Sequence, residues 1–492
     1  MADLGFGIAG LVGTVDACIK VGRFLVQAYK DYNQADIKVN ELSVRIQICW
    51  SRIVSQLEIT KKLESGMTEE QRDLQSRVLR ILQSKLDAAV VVISKPNGHA
   101  ASKRTKALHF LNLRESLEST VSELESWQRR FEPSWFEVIK TGHSAIDGVL
   151  HDVARSRPHD VDQPAREALR FRRAFNESQS VMLGEKILNT LKRSSIPFCK
   201  AEVAVEEKEG KYYIVDTISQ DTVKLKHARE LATRLRDSNP FTFGTLKCKG
   251  IVRKQEESSL VFVFRVPDGY SRVQSCRELL LSGHVPDSLT KRLNIARQLA
   301  TAVYFTHLYD FVHKNITPET ILTLEPEKKA CEGTVICLVG FQLIRFADAQ
   351  TNTLKADRKD VIYQHPSRTG NTTVKFVMQH DIYSLGVCLL EIGLWQSLVQ
   401  YDNDNNSHLS DMLKAGQVDS GTIKARLTHL SRTELRVTMG DVYSKVVETC
   451  LTCLDEDNVE FGDPRDFEDE DGVMVGSRYV ERILDTISTI NY

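Results

Sequence analysis

No run of eighteen apolar residues occurs in this chain, so no segment offers itself as a bilayer-spanning helix. A surplus of one charge is missing too. The 65 basic residues stand against 66 acidic ones, a net charge of −1, which argues against wholesale nucleic-acid binding. The N-terminus lacks the basic flank and cleavage site of a signal peptide. That predicts a cytoplasmic protein whose ten cysteines stay reduced. Those cysteines are scattered. Only Cys450 and Cys453 are spaced C-x-x-C, on a helical stretch with no second pair, so they read as core residues rather than as a zinc or redox site. His307 and His313 lie close in sequence, but no H-E-x-x-H occurs and no metal site is expected. No glycine lies between 185 and 209, so the backbone cradle that holds nucleotide phosphates is absent there. The C-terminus carries no Asn/Gln-rich tail.

The length fits two or more domains. Residues 1–155 have no strand-like alternation and read as helices, roughly 4–31, 36–64, 68–94, 108–131 and 133–153, with Pro96-Asn97-Gly98 as a break. In the first of them Ile8, Leu11, Val12, Val15, Ile19 and Leu25 recur at helical spacing, opposite Asp16, Lys20, Arg23, Gln27 and Lys30. Such a stripe predicts a buried helix of a bundle. Residues 156–184 read as a linker or brace. The arginines of 155–173 (Arg155, Arg157, Arg166, Arg170, Arg172 and Arg173) form either a solvated face or a basic surface. The second option would meet anionic head groups or the acidic run at 455–471. From 185 onward strands and helices mix. Residues 201–206, 211–218 and 260–266 read as strands, and 226–236 as a helix.

Residues 312–322 read Val-His-Lys-Asn-Ile-Thr-Pro-Glu-Thr-Ile-Leu. This stretch resembles the protein-kinase catalytic loop H-R-D-L-x-x-x-N. His313 keeps the place of its His, Asn315 stands where the base Asp belongs, and Thr320 stands where the metal-binding Asn belongs. Further on, Gly340-Phe341-Gln342 resembles D-F-G with only Phe341 kept. Pro366 and Ser367 match A-P-E with its Glu replaced, and Asp381-Ile382-Tyr383-Ser384-Leu385-Gly386 resembles the long buried helix of the large lobe. In the small lobe Asp216 falls where the phosphate-pairing Lys belongs, and Glu230 is the candidate for that lysine's partner. The resemblance implies an α+β bilobal kinase-like fold over 185–492, with a small lobe to about 268 and a large lobe from about 269. It also implies that the catalytic positions Asp216, Asn315, Thr320 and Gly340 are degenerate, while Glu230, His313, Phe341, Pro366 and Asp381 serve architecture. The expectation is a pseudokinase with no catalytic residue, no metal and no cofactor, ATP binding being disfavoured rather than excluded.

The glycine-rich start Gly5-Phe6-Gly7-Ile8-Ala9-Gly10, with Asp16-Ala17-Cys18 downstream, resembles the HeLo domain of the fungal HET-S prion-inhibition proteins. The domain plan is also similar to that of the mixed-lineage kinase-like protein of necroptosis. These resemblances imply a multidomain protein whose all-α bundle is released by its kinase-like domain to kill the cell. Phe6, Ile8, Leu11, Val12, Val15 and Ile19 would form the membrane-active helix. The implied partners are anionic membrane lipids, an upstream activating protein or kinase, and further copies of the chain in an oligomer, with relocation to the plasma membrane. A non-enzymatic scaffold and an atypical ATP-dependent kinase, the latter using a lysine such as Lys211, are the alternative readings.

Overall fold

A computed structural model describes residues 10–490, apart from 32–36, 95–102, 143–144, 157–162, 177–179, 255, 285, 287, 328–332, 347–359, 369–373, 403–406, 414–418 and 461–478. The chain divides into two compact units, Met1–Arg173 and Ala174–Tyr492.

The first unit is all-α: α1 (Leu11–Asp31), α2 (Ile37–Leu63), α3 (Glu69–Ser94), α4 (Lys103–Thr141), α5 (Ala145–Ser156) and α6 (Gln163–Asn176), which reaches the boundary. Helices α1, α2, α3 and α4 pack side by side, α1 on α2 and α3, and α4 on both of those. The predicted stripe of α1 does face inward. Leu11, Val15 and Ile19 are buried, with Cys18 and Leu25, and Val12 is half-buried. Phe6 and Ile8 lie outside the described residues. Gly22 lets α1 approach α2 closely, since a Cβ there would lie 2.0 Å from the Trp50 ring. Two ion pairs flank this contact, Lys61 with Asp16 at 2.7 Å and Arg23 with Glu58 at 3.6 Å.

Two expectations are corrected here. The stretches 108–131 and 133–153 were read as separate helices, but α4 runs unbroken through Pro133. Proline in a helix interior removes one hydrogen bond and costs about 3 kcal/mol. Against that, Trp127, Phe131, Trp135, Phe136 and Ile139 form one buried stripe on both sides of it. Each such side chain contributes roughly 1.5–3 kcal/mol on burial, so the stripe outweighs the proline. The second correction concerns 156–184. Residues 163–173 belong to the helical unit. Arg52 of α2 reaches Glu132 of α4 at 2.7 Å and Glu167 of α6 at 3.1 Å. Arg172 donates to Asp147 at 2.6 Å, and to the Ile139 and Gly142 carbonyls at 2.6 and 3.0 Å. A guanidinium there satisfies carbonyls left open at the end of α4. Pro164 sits in the first turn of α6, where its missing N–H is no loss. Among the described residues no helix is long and apolar enough to cross a membrane.

The second unit has the two-lobed protein-kinase-like architecture. Its small lobe is a six-stranded sheet in the order β1-β5-β6-β4-β3-β2. The strands are β1 (Met182–Leu183), β2 (Leu191–Ser195), β3 (Glu202–Glu206), β4 (Lys211–Ser219), β5 (Lys247–Lys254) and β6 (Ser259–Arg265). They are joined by helices α7 (Leu225–Arg234) and α8 (Pro240–Phe243). Beyond it come β7 (Tyr270–Ser275), α9 (Cys276–Leu281), α10 (Leu289–Leu308), β8 (Phe311–Val312), β9 (Ile321–Pro326), β10 (Val335–Leu338) and β11 (Arg345–Phe346). The large lobe is then completed by α11 (Met378–Leu394), β12 (Val399–Tyr401), β13 (Ser407–Leu409), α12 (Ser420–Arg432) and α13 (Glu434–Leu451). Helix α11 is buried from Met378 to Gly393, and α13 and α10 pack on it. Cys450 and Cys453 are free thiols in that core.

The buried indole of Trp127 donates to the Val78 carbonyl at 2.8 Å and so joins α4 to α3. Trp127→Ala is expected to destabilise the helical unit by about 3–5 kcal/mol, read from denaturant unfolding followed by circular dichroism.

Candidate functional site: a cleft closed by its own residues

Strand alternation places the key carboxylate. Tyr213 and Val215 of β4 pack in a cluster with Leu188, Ala204, Val252, Val261 and Val263 on one face of the sheet. Asp216, opposite Phe262 in register, therefore faces the other side. It is fully buried there, and its Oδ2 accepts the backbone N–H groups of Gly340 (3.0 Å) and Phe341 (3.3 Å). Its Oδ1 accepts the side-chain amide of Gln342 at 3.1 Å. Gln342 in turn accepts from Asn315 Nδ2 at 3.0 Å, and the same Asn315 amide donates to the Gly340 carbonyl at 3.1 Å. The Thr320 hydroxyl turns back on its own loop, bonding the Asn315 and Thr317 carbonyls at 2.7 and 3.0 Å. Asp216, Asn315, Thr320 and Gly340 thus meet in one place, and they hold one another.

Gly340 shows how tightly the set is fitted. Its φ is +81°, and a Cβ would lie 2.4 Å from Thr320 Cγ2. An aspartate at 340 would be strained in backbone and would collide with Thr320.

The structural residues form the frame around this set. Asp381 on α11 is fully buried and accepts from the backbone N–H of His313 (2.7 Å) and of Lys314 (2.8 Å), and bonds His307 Nε2 at 3.0 Å. Burial alone would raise its carboxyl, but the His307 hydrogen bond and charge hold it below the ordinary value. Lys314 sits at φ +66°, a left-handed conformation that the carboxylate bond helps to hold. Burial pushes His313 down to about 4, so its ring is neutral at physiological pH and serves as packing. Phe262, Phe264, Phe341 and His313 form a column from the small-lobe sheet to the loop, with centroid spacings of 5.8, 5.9 and 5.1 Å. Pro366 opens a short turn, and Ser367 bonds His365 Nδ1 at 2.9 Å and His380 Nε2 at 3.2 Å.

Glu230 is not brought to Asp216. It pairs with Arg234 at 3.2 Å on the same helix, and Arg234 also reaches Asp310 at 3.2 Å. Lys211 lies at the start of β4 beside Glu209, away from the cleft carboxylate. Among the described residues no group of three or more His, Cys, Asp or Glu is placed to hold a metal.

Two features escaped the sequence reading. The turn between β2 and β3, where a phosphate cradle would lie, is tied to the rest of the unit. The Pro197 carbonyl accepts from Ser275 Oγ at 2.6 Å, and the Phe198 ring lies 4.8 Å from that of Tyr401. Phe198 is itself left-handed at φ +62°. The second feature is a buried charge network. Arg277 reaches Glu391 at 2.9 Å and Glu319 at 3.2 Å, while Tyr363 donates to Glu391 at 2.8 Å. The Glu319 in Pro-Glu-Thr and the Glu391 ending the 381–391 motif were available as signals, but their partner Arg277 is far away in sequence.

The comparisons with known proteins fit this geometry. The chain is 28% identical over 185 residues to a serine/threonine-protein kinase-like protein of Arabidopsis thaliana. The match covers 34% of this chain, which spans about half (51%) of that protein's length. No family model matches.

Two predictions follow from the Asp216 network. Burial pushes the Asp216 carboxyl up to about 6, against the pull of the Phe341 and Gly340 amides. Between roughly pH 4 and 6 the folded chain keeps a proton that the unfolded chain has released, so stability from this group falls as pH rises through that window and is level above it. The stability difference between wild type and Asp216→Asn should therefore change between about pH 4 and 6 and flatten above about 7. A difference constant across the range would remove Asp216 as the titrating group. Gly340→Ala should cost about 2 kcal/mol or more in urea unfolding, through strain at positive φ and the Thr320 contact.

Proposed function

We propose that the second unit is a pseudokinase: a kinase-like fold that transfers no phosphate and serves as a regulatory module, with the helical unit as the output. The observation that carries this reading is the Asp216 carboxylate, seated on the amides of Gly340 and Phe341. Phosphoryl transfer depends on positioned cations around the nucleotide phosphates. Here an anion stands where the phosphate-pairing lysine would be, and its oxygens are already occupied. Asn315 spends its amide on the Gly340 carbonyl and Gln342, and Thr320 spends its hydroxyl on its own loop. The turn at 196–201 has no glycine and is tied down through Pro197 and Phe198. These residues do not fit a magnesium–nucleotide complex.

For the helical unit the HeLo resemblance favours a membrane-directed, cell-death output, triggered by an upstream protein or kinase. In the described state the apolar stripe of α1 is spent on bundle packing. Activity on anionic membranes then requires α1 to leave α2, against the Gly22–Trp50 contact and the Lys61–Asp16 pair. Phe24, an exposed aromatic of α1, would meet the bilayer early.

The enzymatic arm is tested by radiolabelled ATP with Mg²⁺ or Mn²⁺, with no transfer expected above background. Transfer abolished by Lys211→Ala would restore the atypical-kinase reading. The membrane arm is tested by dye release from anionic vesicles using the full chain. Gly22→Val, which crowds Trp50, should increase release, and Phe24→Glu should suppress it. If neither wild type nor Gly22→Val releases dye, the scaffold reading replaces this one.

A further inference from the structure

The turn between β2 and β3 is held shut against the preference of its own backbone. Phe198 sits at φ +62°, the left-handed region that a bulky side chain avoids, and it is 38% exposed. Such a conformation persists only where contacts hold it. Two contacts do so here. The Pro197 carbonyl accepts the Ser275 hydroxyl at 2.6 Å, and the Phe198 ring lies 4.8 Å from that of Tyr401. In this position the turn covers the cleft. The charge of Lys200, in the same turn, reaches the buried Asp216 carboxylate and favours its ionised form.

Both anchors lead to one buried arginine. Ser275 caps α9, accepting the Glu278 N–H at 3.1 Å, and Arg277 lies in the first turn of that helix. The Tyr401 hydroxyl donates to Glu319 Oε1 at 2.7 Å, and the same oxygen accepts from Arg277 Nε at 3.2 Å. Arg277 is fully buried. Its backbone N–H donates to the Pro318 carbonyl at 3.0 Å, and its guanidinium donates to Glu391 Oε1 at 2.9 Å and to the Tyr363 hydroxyl. Tyr363 in turn donates to Glu391 Oε2 at 2.8 Å. Glu391 Oε1 also accepts the Leu398 N–H at 2.8 Å, at the root of the strand that carries Tyr401. One guanidinium therefore serves two carboxylates and a phenol. Moving any of these partners leaves a buried polar group unsatisfied.

We propose that the turn at 196–201 is a lid over the cleft, and that its closure is coupled through Arg277 to the seating of Tyr363 at the end of the short helical turn Asp360–Tyr363. The strain at Phe198 opposes the two anchoring contacts, which gives the lid a second, relaxed state to move to. Withdrawing Tyr363 takes a partner from both Arg277 and Glu391, and the lid's anchors rest on that arginine's helix and on its other carboxylate. Such coupling is reciprocal. Opening the lid loosens Tyr363, and loosening Tyr363 opens the lid. A regulator that engages either end would be felt at the other. This goes beyond the pseudokinase reading, since it holds whether or not the unit transfers phosphate.

Hydrogen exchange of the full chain, followed peptide by peptide in a mass spectrometer, tests the coupling in both directions. Phe198→Ala should speed exchange at 196–201, and also at 360–363, by about fivefold or more. Tyr363→Phe keeps the ring and should speed exchange at 196–201 by a similar factor. That variant strips a buried hydroxyl, so Tyr401→Phe, which removes only a half-buried one, supplies a second route. It should speed both peptides. Helix α13 is the reference for global opening. Val437→Ala, at an 89% exposed position on that helix, is the control and should leave 196–201 and 360–363 at wild-type rates. The proposal is overturned if Phe198→Ala speeds the turn alone, or if Tyr401→Phe leaves 360–363 unchanged. It is also overturned if α13 speeds up as much as the two peptides do. ATP transfer plays no part in this readout, so the lid and the pseudokinase reading stand or fall separately.

Discussion

A buried carboxylate needs donors, and the cleft of the second unit is arranged around that demand. Asp216 takes two backbone amides and one side-chain amide across the gap between β4 and the segment after β10. Left unsatisfied, such a group would cost several kcal/mol. Satisfying it sets the positive φ of Gly340, the place of Gln342 and the role of Asn315. Asp216, Asn315, Thr320 and Gly340 are therefore one coupled object. Changing any one of them would leave a clash or an unsatisfied polar group.

The frame around that object meets it at Phe341, whose amide bonds Asp216 and whose ring joins the column. Asp381 holds the loop backbone, and the column from Phe262 to His313 carries the contact between lobes. The helical unit follows a different rule. Its first helix is held by close packing at Gly22 and by surface ion pairs of small individual worth, while its last two helices are tied to the bundle by Arg166 and Arg172.

Much of this was legible before any coordinates. Strand alternation found β3, β4 and β6, and motif spacing found Asp381, His313 and Phe341. The same spacing named Asp216, Asn315, Thr320 and Gly340 as altered. It did not reveal that they bond to each other, because Asp216 lies about a hundred residues from the others and no local pattern encodes that contact. Pro133 misled for the opposite reason: its local cost is real, but a buried aromatic stripe overrode it. The arginines at 155–173 were legible as a charge run and illegible as helix contacts, since a run of charge says nothing about which helices face each other.

Residue identity was enough to say which side chains stand at Asp216, Asn315, Thr320 and Gly340, because that is written in the chain whatever its fold. How they meet in the cleft was decided by tertiary structure. Only folding brings Asp216 onto the Gly340 amide and seats Phe198 beside Tyr401. Contacts between residues far apart in the chain depend on how whole elements pack, and that packing is settled by the sum of buried surface rather than by any motif.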